Sequence, residues 1–459
     1  MQHHFKKSLF IFHRDLRLED NTALLFALNH SETVIPCFIF TPEQVENNPY
    51  KSVKALQFMI ESLEDLDEAL HKNHSKLYLF YGKSHEIVAR CIEELHIDAV
   101  FFNQDYTPYS QKRDAAIQAV CDDHHMSCLS FEDLLLHPIQ QTLKSDGSPY
   151  VVFTPFYHNA SSFPVNLPDH TAFSNYYNKP ISFAKTKAFY QSILPSRSAQ
   201  QKGGRKEALN ILIKLKKGVV TTPIYLNQPV THLSPHLKFT TVSVREVYFA
   251  LKHSQQDHSS LIRSLYWRDF FLSIAFHFPH VFTSAFHQEF NNLKWKDDLD
   301  LFQKWCEGKT GFPIVDAGMR ELNATGLMNN RARMITASFL VKDLHLNWQW
   351  GEKYFAQHLI DYDPSVNNGN WQWVASTGCD RQPYFRIFNP WLQQKKFDPD
   401  ALYIKEWIPE LQEVPLSHIH TWYTSYNSYF DSSYPMPCVD HKRESQIALH
   451  AYQTAALKN

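Results

Sequence analysis

A chain of 459 residues with 44% hydrophobic and 20% charged residues is long enough to bury two or three cores, which excludes a disordered chain. A formal net charge of −2 at pH 7 excludes the field of a strongly basic nucleic-acid-coating protein, so any such site must be a local patch. The apolar run Leu9 to Phe12, behind a polar and basic start, is too short for a secretory or membrane segment, and a soluble, cytoplasmic protein is expected.

Residues 1–135 alternate short apolar runs with amphipathic stretches. The runs are LFIF near Leu9, VIPCFIF from Val34, KLYLFY from Lys76, AVFF from Ala99 and SCLSF from Ser127. Segments of helical period separate them, one opening at Ser52 as N-cap, and this alternation predicts a doubly wound parallel sheet. HRDLRLEDN follows the first run where a dinucleotide fold carries GxGxxG, so an ordinary dinucleotide site is not expected in this half.

Seven cysteines without a CxxC pair fit a reducing compartment. Cys121, His124, His125 and Cys128 alone have metal-like spacing; with no second pair elsewhere, a polar turn is preferred to zinc, and no metal is expected. Residues 136–201 are rich in Pro, Ser, Asn, Tyr and Lys without sustained period and read as an interdomain linker. Beyond KGGRKEAL, with Gly203 and Gly204 able to stop one element before the next, residues 202–459 read as an all-helical domain. All ten tryptophans, from Trp267 to Trp422, lie in this part.

The densest text runs from Trp305 to Asn389. If NNGNWQW is helical, Asn367 and Trp371 share a face, while Trp373 lies about 200° around from Trp371 and points elsewhere. Trp305, Trp348 and Trp371 taken alone read as core tryptophans.

This stretch closely resembles the flavin-binding domain of class I cyclobutane-dimer photolyases and their cryptochrome relatives. The likeness extends to FHRDLRLEDNTAL at Phe12, VFTPF at Val152, HLSPHLKF at His232, LYWRDFF at Leu265 and VDHKRESQIALHAY at Val439. The resemblance implies an α/β antenna-type domain before an all-helical domain that binds one non-covalent FAD. It also implies a light-driven carbon–carbon lyase that repairs cyclobutane pyrimidine dimers by electron transfer from excited, reduced FAD to a flipped-out lesion. A monomer acting on ultraviolet-damaged DNA is expected.

By the same resemblance, Asn367 stands beside the flavin N5, and Trp371 starts an electron path that continues through Trp348 to Trp305 near the surface. FAD contacts fall to Tyr225, Thr231, His232, Leu233, Ser234, Arg333, Asp361, Tyr362 and Asp363, with Arg333 as the salt-bridge partner of Asp361. The lesion pocket and DNA backbone fall to Ser264, Trp267, Arg268, Phe271, Asn330, Arg331, Met334, Trp373, Arg386 and Gln393. Trp267 and Trp373 correspond to the indoles that flank the lesion, and Lys395 and Lys396 reinforce the phosphate contacts.

The chain departs from the family pattern at several points. Ser264 replaces a glutamate at the lesion, Leu327 an aromatic residue and Asn329 a histidine; Val230 replaces a hydroxyl residue and Thr240 a glycine. NQDYTPYSQKRD from Asn103 lacks the Asn-Glu pair that holds a folate antenna in some relatives, so a deazaflavin, a flavin or no antenna stays open. A cryptochrome-type light receptor or a single-strand-preferring relative is the alternative, disfavoured by the chain ending at Asn459 just after LHAY. The paired histidines of (6-4) photolyases are replaced by Asn329 and Asn330.

Overall fold

The structure is a computed structural model and describes residues 4–46, 48–194, 196, 199, 201–219, 224–228, 230–429 and 433–456. The chain forms two compact units: residues 1–220 with 231–279, and residues 221–230 with 280–459.

The first unit is built on five parallel strands, β1 (Phe5–Phe12), β2 (Ser31–Phe40), β3 (Tyr78–Tyr81), β4 (Ala99–Asn103) and β5 (Ser127–Phe131), in the order β3-β2-β1-β4-β5. All five expected runs became strands. The four strands β1 to β4 are buried on both sides over most of their length, as a parallel sheet covered by helices requires, while the edge strand β5 is partly exposed. The helix Val53–Lys72 starts where Ser52 accepts a hydrogen bond from the Ala55 amide, and the sheet reverses its winding at β1, as a doubly wound fold does.

HRDLRLEDN is a buried polar knot. Arg17 pairs with Asp133 at 2.5 Å, and Arg245 reaches Asp133 at 2.8 Å and Asp20 at 2.9 Å. Burial raises the cost of the Asp133 charge, but the two guanidinium groups outweigh it and hold the carboxyl well below the usual range. Because Arg245 sits on the helix Val244–Lys252, this knot ties the segment 231–279 to the sheet. The compact units therefore do not coincide with the sequence spans 1–135, 136–201 and 202–459.

The span expected as a linker also carries structure. It contains the helix Phe153–Ala160, and Phe153 lies 3.7 Å from Trp267, ring on ring. Gly204 precedes the helix Arg205–Lys216 at φ 100°, and a Cβ on Gly203 would stand 2.2 Å from the Phe58 carbonyl; both need glycine.

The second unit is helical. Its core joins Trp305, Phe312, Phe339, Leu340, Trp348, Phe355, Trp371, Tyr403 and Trp422. The main helices around the candidate site are Leu299–Glu307, Pro313–Thr325, Asn330–Lys342, Trp348–His358 and Pro364–Val374. Among the described residues, no helix is long and apolar enough to cross a membrane.

Candidate functional site

The site residues of the second unit are set by two consecutive helices. Asp363 caps the helix Pro364–Val374 by accepting from the Ser365 and Val366 amides, with Pro364 at the position where a missing N–H costs nothing. This fixes Asn367 and Trp371 on one face. Trp371 is 2% exposed, whereas Trp373 is half-buried, so the separation of the two indoles expected from helical period is present.

On the helix Trp348–His358, positions 348, 351 and 355 share a face. A Cβ on Gly351 would stand 2.2 Å from Trp371 Cη2, so glycine lets the indole lie directly on the helix. Phe355 packs edge-on against Trp371 at 4.9 Å and stacks on Trp305 at 5.9 Å.

The Asn367 Nδ2 donates to the Glu352 carbonyl at 3.1 Å. Its Oδ1 accepts nothing from the described residues, and the Ser365 hydroxyl on the same helix is buried without a hydrogen-bond partner. Glu352 is 7% exposed; burial pushes its carboxyl up to about 7, only partly opposed by a hydrogen bond from Asn367. An unsatisfied acceptor beside a protonatable carboxyl fits a ligand edge carrying an N–H, as a reduced flavin has.

Arg333 and Asp361 pair as expected, Nη2 to Oδ2 at 2.8 Å and Nη1 to Oδ1 at 3.2 Å, while Arg333 Nε donates to the Met328 carbonyl. Asp361 is nearly enclosed, and the fork-on-fork geometry stiffens the loop that carries Tyr362 and Asp363. Tyr225 is 40% exposed, its amide donating to Gln228 Oε1.

One expectation needs correction. Trp305 does not lie near the surface: it is 0% exposed, donates its indole N–H to the Thr336 carbonyl, and lies 6.2 Å from Trp371. The amphipathic helix Leu299–Glu307 turns this residue into the core. Trp295, which the sequence reading passed over, is half-buried and packs on the same core. The amide of the adjoining Lys296 bonds to the His345 carbonyl at 2.8 Å, three residues before Trp348. The signal that could have found it is one more aromatic residue, alone among polar neighbours, upstream of the dense stretch.

The basic patch also lies in this unit. Asn330 and Met334 share a face, the amide nitrogen 3.8 Å from the sulfur. Arg331 lies over the Phe397 ring at 4.4 Å and Lys396 at 5.3 Å from the same ring. Burial lowers the Arg331 pKa. Arg386 is exposed, and so is Phe385, at 66%. Gln393 Oε1 is buried without a partner. One aromatic ring thus gathers two cations.

In the first unit, Thr231 and His232 lead into the short helix Ser234–Lys238. Leu233, not Ser234, is its N-cap residue. Thr231 Oγ1 accepts from the Leu233 amide, His232 takes a left-handed turn at φ 53°, and the Ser234 hydroxyl is exposed. On the helix Ser259–His277, Ser264 is exposed and donates to the Ser260 carbonyl. Trp267 has one face on Phe153 and lies tilted beside Phe271, ring centroids 5.4 Å apart.

Two more expectations need correction. Arg268 is buried, its Nη1 donating to the Leu134 carbonyl at 2.8 Å and to Asp269 Oδ1 at 2.9 Å, and Phe271 is 4% exposed inside the aromatic cluster. Both side chains are buried, Phe271 beside the Trp267 ring and Arg268 against the Leu134 carbonyl and Asp269, because they fall on the packed side of their helix.

Comparison with known proteins agrees with this geometry. Residues 8–171 match the family described as DNA photolyase, and residues 261–454 match the FAD binding domain of DNA photolyase. A deoxyribodipyrimidine photo-lyase of Alkalihalophilus pseudofirmus is 34% identical, covering 96% of this chain and 97% of its own. The crystal structure of an archaeal photolyase from Sulfolobus tokodaii with two FAD molecules superposes with a TM-score of 0.88 at 42% identity, over 98% of this chain and all of that one. A bacterial class III photolyase from Agrobacterium tumefaciens gives 0.89 at 33% identity, over 98% of each chain.

Proposed function

This chain belongs to the DNA photolyase family, and on that premise we propose that it is a deoxyribodipyrimidine photo-lyase that binds FAD and repairs cyclobutane pyrimidine dimers in ultraviolet-damaged DNA under light. The observation that carries the reading is the pairing, on one helix, of a ligand-seeking Asn367 with a buried Trp371. The class I assignment rests on the motif matches alone. Reduced FAD, when bound, supplies the light absorption and the transferable electron.

The chain's own residues then have separate tasks. Asn367 offers Oδ1 to the N–H edge of the cofactor, and Glu352 holds a proton behind it. The Arg333–Asp361 pair orients the loop through Asp363, and Thr231, His232, Leu233, Ser234 and Tyr225 serve the diphosphate end. Trp371 passes electrons inward with Trp348. The burial of Trp305 supports a branch close to Trp371, and the exposure of Trp295 supports that residue as the outlet to solvent.

Trp267 and Trp373 offer flat apolar surface to an extruded lesion, where base–aromatic stacking is worth about 1–3 kcal/mol per base. Phe153 covers one face of Trp267, leaving the other for the substrate. Ser264, one turn before Trp267 on the same helix, and Asn330 and Met334, one turn apart on theirs, offer further contacts to the lesion. Arg331 and Arg386, with Gln393, Lys395 and Lys396, hold phosphates. Ser264 and Asn329 remove charge where relatives carry it, which weakens lesion contacts but leaves the electron path intact.

A second flavin as antenna in the sheet domain is supported by the archaeal relative with two FAD molecules. We further propose a monomeric, soluble, cytoplasmic enzyme. The test is a Trp371→Phe variant assayed twice. Photoreduction of the bound flavin should be lost, while repair after chemical reduction should persist; equal loss of both would overturn the division of roles.

A further inference from the structure

The helix Phe153–Ala160 backs Trp267 through Phe153, and it also seats a charge. Phe153 stacks on Trp267 at 3.7 Å and on Tyr157 at 5.8 Å, because positions 153 and 157 share a helix face. Arg263 stands one turn before Trp267 on the helix Ser259–His277. Its guanidinium lies over both rings, the central carbon 4.8 Å from the Phe153 centroid and 4.6 Å from that of Tyr157. Among the described residues, no carboxylate pairs with Arg263 and no acceptor takes a hydrogen bond from it. Arg268, five residues on, is instead turned into the core against the Leu134 carbonyl and Asp269. A ring contact engages the face of the guanidinium plane and leaves its fork of N–H donors for another partner. Arg331 is seated in the same way, over the Phe397 ring.

We propose that Arg263 is a further DNA-binding residue, which holds a backbone phosphate of the strand carrying the extruded lesion from a platform formed by Phe153 and Tyr157. The inference rests on the reading of Trp267 as a wall of the lesion pocket. One helical turn rises about 5.4 Å, so a lesion on the free face of Trp267 keeps its own strand within reach of a long side chain at position 263. The fork of a guanidinium suits the paired oxygens of a phosphate. Two aromatic rings restrain the side chain before DNA arrives without neutralising it, as a carboxylate would. Such a contact positions the strand and reads no sequence. The helix Phe153–Ala160 thereby joins the substrate surface: Trp267 takes the damaged bases, and Arg263 takes their backbone.

The test measures binding of the full flavin-loaded chain to an oligonucleotide carrying one thymine dimer, and to the same oligonucleotide undamaged, across a salt series. Arg263→Gln keeps a polar stem over the rings and removes the charge. It should weaken binding to both oligonucleotides by the same factor and reduce the salt slope by about 1, so that raising salt from about 50 to 200 mM weakens the variant roughly three- to fourfold less than the unsubstituted chain. Arg263→Lys, which keeps the charge, should restore the slope. A merely structural role, in which the cation only steadies Phe153 behind Trp267, would confine the loss to the damaged oligonucleotide and leave the slope unchanged; that result would overturn the proposal. Arg331→Ala, measured in parallel, separates this outcome from a failure of the wider reading. A reduced slope in Arg331→Ala beside an unchanged slope in Arg263→Gln overturns the role of Arg263 alone, whereas an unsubstituted chain without affinity for the damaged oligonucleotide overturns both.

Discussion

Replacing Gly351 by alanine tests the seat of Trp371. The added Cβ would stand 2.2 Å from Trp371 Cη2, 2.7 Å from its Cζ3 and 2.5 Å from Leu340 Cδ2. Ordinary contact begins near 3.4 Å, so the indole or its helix must retreat by about 1 Å in a close-packed core. Overpacking of this kind costs about 1–3 kcal/mol, which for a unit of this size lowers Tm by about 2–4 °C per kcal/mol. Because electron tunnelling falls steeply with distance, photoreduction of the bound flavin should slow as well. Thermal unfolding and the light-driven bleaching of oxidised flavin measure the two effects. An unchanged Tm together with unchanged photoreduction would refute the claimed contact.

Thr240 holds a left-handed φ of 39° and buries its hydroxyl without a partner. Thr240→Gly should therefore stabilise the fold by about 1 kcal/mol, after the glycine's entropic cost is offset, read as a higher urea midpoint. Glu352 has its folded pKa raised to about 7, so the native state binds the proton more tightly than the unfolded chain. Its contribution to stability is present below about pH 4.3 and is lost as pH rises toward 7, by about 3 kcal/mol; Glu352→Gln should flatten that part of the stability–pH curve. Arg333→Ala leaves Asp361 buried and unpaired, at a cost of about 3 kcal/mol, and should lower both Tm and flavin retention. Arg331→Ala and Arg386→Ala should each weaken DNA binding uniformly across sequences and reduce the salt slope by about 1.

The strands were legible because each apolar run is short, β-rich and bounded by turn residues. The helix carrying Asn367 and Trp371 was legible from its three-and-four spacing. Arg333 with Asp361 emerged as a pair because the motif order preserves it. What the sequence hid was burial depth. Nothing local distinguishes Trp305, turned inward by its amphipathic helix, from Trp295, which remains half-exposed. Arg268 and Phe271 look like ligand contacts in LYWRDFF, yet the packed side of that helix claims them. The knot of Arg17, Asp133 and Arg245 joins residues more than 110 positions apart, so only the folded chain reveals why residues 231–279 pack with the sheet.

The most direct measurement is the wavelength dependence of thymine recovery from an oligonucleotide carrying one thymine dimer, with the flavin fully reduced beforehand. Recovery should be absent in the dark and should follow the near-ultraviolet and blue absorption of the reduced cofactor. No recovery under light from protein with bound, reduced flavin and bound substrate would contradict the account.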